Sequence, residues 1–294
     1  MIDPLHPLNI QLGWHPSRAK VFFEMALGMI QSRSVQAQRV AAHFKDKTSL
    51  EGRIQRIYRF YAEQEINLAD LAKAILNCLG LHDIALNLVL DRTNWELGDK
   101  SINYLVLAVQ VHGFGAVPLL WTELSKKGNS STDERIDLLD MLFAAIPSVR
   151  IASLTADREF IGKKWLTYLT DHKVPFFIRI KQNRLVDWGG HKVQVGTFFE
   201  HLIAGNRPRK LYKNIDGYNL TLVGVPSKKG EMVVILTNTD KNPKKVLSIY
   251  KTRWGVDIYQ SYYLHKNKIH INEPFELLSY KPIVLGGSVY LEAA

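Results

Sequence analysis

Three carboxylates stand where an acid can do chemistry. Asp91 closes the apolar run Ile84-Ala85-Leu86-Asn87-Leu88-Val89-Leu90, Asp157 closes Ile151 to Ala156, and Asp257 follows Arg253 by four residues in a helix-compatible run, Lys244 to Tyr263. A charge at the end of a core strand is costly unless it is paired, hydrogen-bonded or metal-bound. Two strand-end acids and a third from a helix are what two-metal phosphoryl transfer requires. Ions ~3.5–4 Å apart share anionic oxygens, and together they activate the attacking oxygen and stabilise the leaving one. Each acid also has a plainer reading. A strand-end Asp often serves a turn or a cap, and Asp257 alone reads as an exposed helix acid.

The elements around these acids decide whether they can meet. Ile84 to Asp91 alternates like a buried strand, with Ile84, Leu86, Leu88 and Leu90 on one face. Ile102 to His112 and Ala116 to Trp121 read as two further strands, joined by a connection so short that they must be antiparallel neighbours. Ser131-x-x-Glu134 is a capping box opening a helix that Pro147 ends. Strand Ile151 to Ala156, helix Ile161 to Thr170 and strand Pro175 to Ile180 then give a parallel pair beside the antiparallel trio, hence a mixed sheet. In such α/β sheets, sites gather at the carboxyl ends of strands. That is where Asp91 and Asp157 stand.

The remaining chain divides by texture. Residues 1–82 read as a helical region, in which Thr48-Ser49-Leu50-Glu51 is a second capping box and Arg53, Arg56 and Arg59 line one flank of the helix behind it. That flank reads either as DNA-facing or as merely solvated. Residues 83–180 form the first part of a core, 181–241 a β-rich insertion with short runs and Gly, Asn and Lys turns, 242–266 a core helix carrying Asp257, and 267–294 a tail. Net charge is +10, but Phe160 to Gly255 holds 18 basic against 6 acidic residues. A basic excess gathered in one segment favours a polyanionic partner, most simply nucleic acid. One cysteine, Cys78, permits no disulfide within a single chain. No run approaches the ~20 apolar residues of a membrane span, and the N-terminus lacks the pattern of a secretion signal, so a soluble cytoplasmic protein is expected.

Five stretches, in order, resemble the DDE transposases of bacterial insertion sequences, in the branch with a Tyr-x2-Arg-x3-Glu-x6-Lys signature. They are Asp91-Arg92-Thr93-Asn94-Trp95, Trp121-x-x-Leu124-x-Lys126-x-Gly128-Asn129-Ser130, Ala156-Asp157-Arg158-Glu159-Phe160-Ile161-Gly162, Ile178-Arg179-Ile180-Lys181-x-Asn183 and Tyr250-x-x-Arg253-Trp254. The resemblance implies a ribonuclease-H-like α/β core with flanking helices, a β-rich insertion before the third acid, and Mg²⁺ or Mn²⁺ as cofactor. It also implies cleavage and joining of double-stranded DNA at transposon terminal repeats, in a bacterial, nucleoid-associated setting. Asp91 and Asp157 take the first two metal-binding acidic positions, Asp257 the third, and Tyr250 and Arg253 the DNA-phosphate positions. Lys181, Arg53, Arg56 and Arg59 are further candidate DNA contacts, and self-association on DNA stays open.

The resemblance stops abruptly. The third acid is Asp257 where the signature has Glu, and Leu264 stands where it has Lys, with Lys266 nearby. A frameshift just after Val256 would produce such a break, whereas gradual divergence would scatter the differences. A second reading is therefore a catalytically impaired remnant that binds DNA without cutting it. A third, a general nuclease acting on RNA in hybrids, fits the basic insertion and Tyr250-x-x-Arg253-Trp254 less well.

Overall fold

A computed structural model describes residues 12–97, 100–112, 115–126, 128–188, 190–202, 207–215, 217–226 and 232–253. Among the described residues, four helices precede the strands: α1 (Pro16–Ser32), α2 (Ala37–Ala42), α3 (Leu50–Glu63) and α4 (Leu68–Cys78). Val21 and Met25 of α1, Val40 of α2, Phe44, and Ile57 and Phe60 of α3 bury one another in a small core. Trp14 closes it edge-on against Phe22 and Phe60. Helix α3 is capped by Ser49, whose hydroxyl accepts from Gly52 N. The box expected at Thr48 and Glu51 does not form, because Ser49 occupies the N-cap and puts glycine where the box needs its acid.

The ten strands among the described residues are β1 (Leu86–Leu97), β2 (Lys100–Val111), β3 (Gly115–Glu123), β4 (Ile151–Ala156), β5 (Phe176–Ile180), β6 (Leu185–Trp188), β7 (His191–Gln194), β8 (Arg209–Ile215), β9 (Tyr218–Pro226) and β10 (Met232–Thr237). Eight of them form one sheet in the order β3-β2-β1-β4-β5-β10-β9-β8. The β1-β2-β3 trio is antiparallel, and β4 and β5 continue from β1 in parallel. This is the mixed sheet that the sequence suggested, in keeping with the ribonuclease-H-like core that the resemblance implied. The capping box at Ser131 and Glu134 forms and opens α5 (Thr132–Ala145), and α6 (Lys163–Asp171) makes the crossover from β4 to β5.

Helices cover both faces. Leu86, Leu88 and Leu90 of β1 belong to the main core, with Leu76 of α4, Leu139 and Leu142 of α5, and Trp165 and Leu169 of α6. On the opposite face lies α7 (Pro243–Lys251), whose Val246 and Tyr250 pack against Phe177, Val223 and Ile235.

Packing crosses two of the expected boundaries. Helix α4 packs on β3 and α5. In 181–241, β10 hydrogen-bonds to β5, β9 to β10 and β8 to β9, which widens the central sheet, while β6 and β7 form a separate two-stranded sheet. The reason is burial: Leu220, Leu222, Val234 and Leu236 supply apolar side chains to the main core, which ties their strands to it. Among the described residues, no helix is long and apolar enough to cross a membrane.

Candidate active site at the carboxyl ends of β1 and β4

Strand β1 does not end at its acid, as the sequence suggested; it continues to Leu97 because β2 pairs with it along that whole stretch. Its partnership with β4 does end there. The last rung joins Leu90 to Ala156, and the residue that follows each of them in the chain is an aspartate. Residues paired in a parallel ladder point to the same face, and faces alternate along each strand. Leu88 and Leu154, then Leu90 and Ala156, enter the main core, so Asp91 and Asp157 both point to the α7 side. The neighbouring rungs on that side carry polar groups beside the buried Val89. Ser153 Oγ donates to Asn87 Oδ1 at 2.7 Å, and Thr155 Oγ1 donates to the Leu88 carbonyl at 3.2 Å.

The row extends to β5. Ile178 is the partner of Ala156, so Arg179 occupies the position beside Asp157, on the face where Phe177 meets α7. Two acids and a guanidinium thus follow one another across three adjacent strands. Arg179 was present in the Ile178-Arg179-Ile180 motif, but its place beside Asp157 depends on register.

Helix α7 brings two more polar groups over this row. Arg253, just past its end, is 7% exposed, and its Nη1 lies 3.8 Å from Asp91 Oδ2. Tyr250 is buried among apolar side chains. Burial raises its phenol pKa and the Asp157 carboxylate adds to that, while Arg253 and Arg179 pull it down. The ring and the hydroxyl of Tyr250 have different surroundings. Its ring belongs to the stripe that seats α7, which leaves only the hydroxyl end near the charged row.

Asp157 Oδ1 is buried and meets no hydrogen-bond donor among the described residues. An orphaned carboxylate oxygen beside a second carboxylate is a hard anionic donor set of the kind Mg²⁺ and Mn²⁺ take. The residues fit such an ion. Asp257 lies outside the described residues, and among those described no group of three acids, histidines or cysteines gathers at one point.

On the main-core face, the two acidic motifs are tied together. Arg92 Nε donates to Glu159 Oε1 at 3.0 Å and Arg92 Nη2 to Glu159 Oε2 at 3.3 Å. Its Nη1 reaches Asn103 Oδ1 at 3.3 Å, and its backbone N–H donates to Asp91 Oδ1 at 2.9 Å. The residues flanking the acids in sequence are therefore part of how the acids are held.

The transposase DDE domain family matches residues 86–256, more than half of the chain. The chain belongs to the DDE transposase family. The matched span starts with β1, passes through both strand-end acids and stops one residue before Asp257. No curated protein matches the chain. Among solved structures, human endonuclease V is similar over 68% of this chain and 99% of its own, at 12% identity and a TM-score of 0.36. Bacillus subtilis endonuclease V is similar over 70% and 94%, at 11% identity and a TM-score of 0.33.

The DNA-contact candidates of this family member fare differently. Arg53 Nε pairs with Asp46 Oδ1 at 3.1 Å, and Arg56 pairs with Asp46 and, at 2.8 Å, with Glu24 Oε2. Those two part-buried arginines cross-link α1, α3 and the loop before α3. Asp46 is the reason: placed between α2 and α3, it draws in the two nearest guanidiniums. Arg59 and Lys181 are exposed. A group that sequence reading missed lies on the β6–β7 hairpin and β8. Trp188 is half exposed and stacks on Phe198 with ring centres 4.5 Å apart, while Lys213 Nζ sits 3.4 Å from the Trp188 ring centre. An exposed tryptophan in so basic a segment was the available signal.

Proposed function

We propose that this chain is a DNA strand-cleaving and strand-joining enzyme that acts at the terminal repeats of an insertion sequence. Asp91 and Asp157 would hold a divalent cation, Mg²⁺ or Mn²⁺, with Asp257 supplying the third acid. Such an ion, when bound, activates the attacking oxygen and stabilises the leaving one. The observation that carries the reading is the row Asp91, Asp157 and Arg179 on one face of three neighbouring strands, with Arg253 above it.

The chain's own groups then have distinct tasks. The carboxylates fix where negative oxygens of the scissile phosphate can approach. Arg179 and Arg253 neutralise and orient that phosphate, as guanidiniums do through paired N–H donors. Tyr250 seats α7, which keeps Arg253 in reach of Asp91. Farther along the strand, Lys213, Lys210 and Arg209 of β8 and exposed Trp188 offer a basic surface with an aromatic platform for the DNA backbone and for a base.

Asp257 favours a second reading, a remnant that binds DNA and cuts it poorly. Where the resemblance calls for Glu, Asp is shorter by one carbon–carbon bond, about 1.5 Å, and catalytic groups tolerate about 0.5 Å of misplacement. Nicking of terminal-repeat DNA in Mn²⁺ tests the first reading. Asp257→Glu separates the two, because a remnant limited by reach gains activity from it, whereas an intact Asp-adapted site does not.

A further inference from the structure

We infer that Arg92 and Glu159 form a positioning clamp that sets the spacing of Asp91 and Asp157 from the opposite face of the sheet, an inference that rests on the proposed cation-holding role of those two acids.

The backbone ladder between β1 and β4 stops at Leu90 and Ala156, one residue short of both acids. Beyond it β1 runs on beside β2, while the chain after Asp157 turns away toward α6. No rung of that ladder holds the two carboxylates at a fixed distance. Arg92 and Glu159 supply a link at this point. Two parallel N–H donors of one guanidinium meet the two oxygens of one carboxylate, a geometry that fixes orientation as well as distance. Arg92 also touches the site directly, because its own N–H donates to Asp91 Oδ1. Main chain holds one acid, and side chain holds the loop that carries the other.

Both ends of the clamp are anchored. Asn103, buried on β2, accepts from the third arm of Arg92 and donates to the carbonyls of Lys126 and Gly128 at 2.9 and 3.0 Å. Next to Glu159, Phe160 is buried beneath the guanidinium of Arg135, which donates to Ser130 Oγ at 2.8 Å and to the Ser130 carbonyl at 2.6 Å. The side chains of Arg92 and Glu159 are 17% and 21% exposed, so this is not a solvated surface pair of little consequence. Neither side chain lies on the acid face, which makes them positioning residues rather than catalytic ones.

The test is a calorimetric titration of the full-length chain with Mn²⁺, comparing wild type, Asp91→Asn, Glu159→Gln and Arg92→Lys, with the melting temperature of each variant measured alongside. Outer residues that orient metal ligands typically cost about 10- to 100-fold in affinity when changed. Glu159→Gln and Arg92→Lys should each weaken Mn²⁺ binding by about tenfold or more at temperatures where the variant is fully folded. Arg92→Lys keeps the charge and the stem and loses only the fork, so it serves if Glu159→Gln does not fold. A pair that is merely stabilising would lower melting temperature and leave the affinity of the folded protein unchanged, and that result would overturn the clamp alone. Wild type that binds no Mn²⁺, or binds it as well after Asp91→Asn, would overturn the underlying reading and the clamp with it.

Discussion

Arg253 Nη1 lies 3.8 Å from Asp91 Oδ2, so the residue just past the end of α7 delivers a cation to the acid of β1. Charges about 4 Å apart interact by about 4 kcal/mol at an effective dielectric near 20, and the same guanidinium repels any second cation that approaches Asp91. Replacing Arg253 with Gln should therefore tighten Mn²⁺ binding, by about tenfold or more, while lowering DNA cleavage through loss of a phosphate partner. Titration calorimetry and a nicking assay read the two effects separately. Weaker Mn²⁺ binding in this variant would mean that Arg253 holds Asp91 in place rather than competing for it.

The three arginines of α3 should separate into two kinds. Arg53 and Arg56 share Asp46, and Arg56 also pairs with Glu24, so Arg53→Ala or Arg56→Ala should cost about 1–3 kcal/mol of stability, the range for losing a charge-assisted hydrogen bond. Arg59→Ala should leave the melting temperature within a degree or two and act, if anywhere, on DNA affinity. Equal melting temperatures for all three variants would remove the cross-linking role.

The same cluster carries a pH dependence. Burial alone would raise the Asp46 carboxyl, but hydrogen bonds from the Thr48 backbone and the Arg56 side chain outweigh it and bring it from 3.8 to about 2. A carboxyl whose pKa is lowered by folding stabilises the fold fully above its unfolded value. That contribution fades as pH falls through the folded one. Wild type should thus lose stability between about pH 4 and pH 2, and Asp46→Asn should be less stable at pH 7 with a shallower loss over that window. Parallel curves for the two proteins from chemical denaturation would contradict this.

On the hairpin side, Lys213 sits over Trp188 and Phe198. Lys213→Ala should reduce the slope of log affinity for duplex DNA against log salt by about one, the signature of one phosphate neutralised. Trp188→Ala should lower affinity for DNA with unpaired bases by about 1–3 kcal/mol, the usual worth of a base stacked on an aromatic ring, without changing that slope. If neither variant changes binding, the basic surface lies elsewhere.

Much of this was legible in the sequence, and the reasons are local. Alternation in Leu86 to Leu90 and in Ile151 to Ala156 gave two core strands, and the Ser131 and Glu134 box gave α5, because each signal lies within a few residues. What escaped depended on distant partners. Strand β1 runs past Asp91 only because β2 pairs with it, and β8, which reads as a polar and basic stretch, becomes a strand by pairing with β9 at the sheet's edge. Arg53 and Arg56 read as a basic flank, and their ion pairs with Asp46 and Glu24 come from how α1 and the loop before α3 pack on α3. Arg92 and Glu159 are 67 residues apart, so no local pattern could join them.

The measurement that bears most directly on the proposed function is Mn²⁺-dependent nicking of duplex DNA carrying the element's terminal repeats, by the chain as it is and by its Asp91→Asn and Asp157→Asn variants. The expected result is nicking by the unaltered chain, weak if Asp257 is short of its place, that falls at least about a thousandfold in either variant while DNA retention is unchanged. The scale is that of losing a group which stabilises developing charge. Nicking that survives both substitutions, or that needs no divalent ion, would contradict the assignment of Asp91 and Asp157 as the centre of this site.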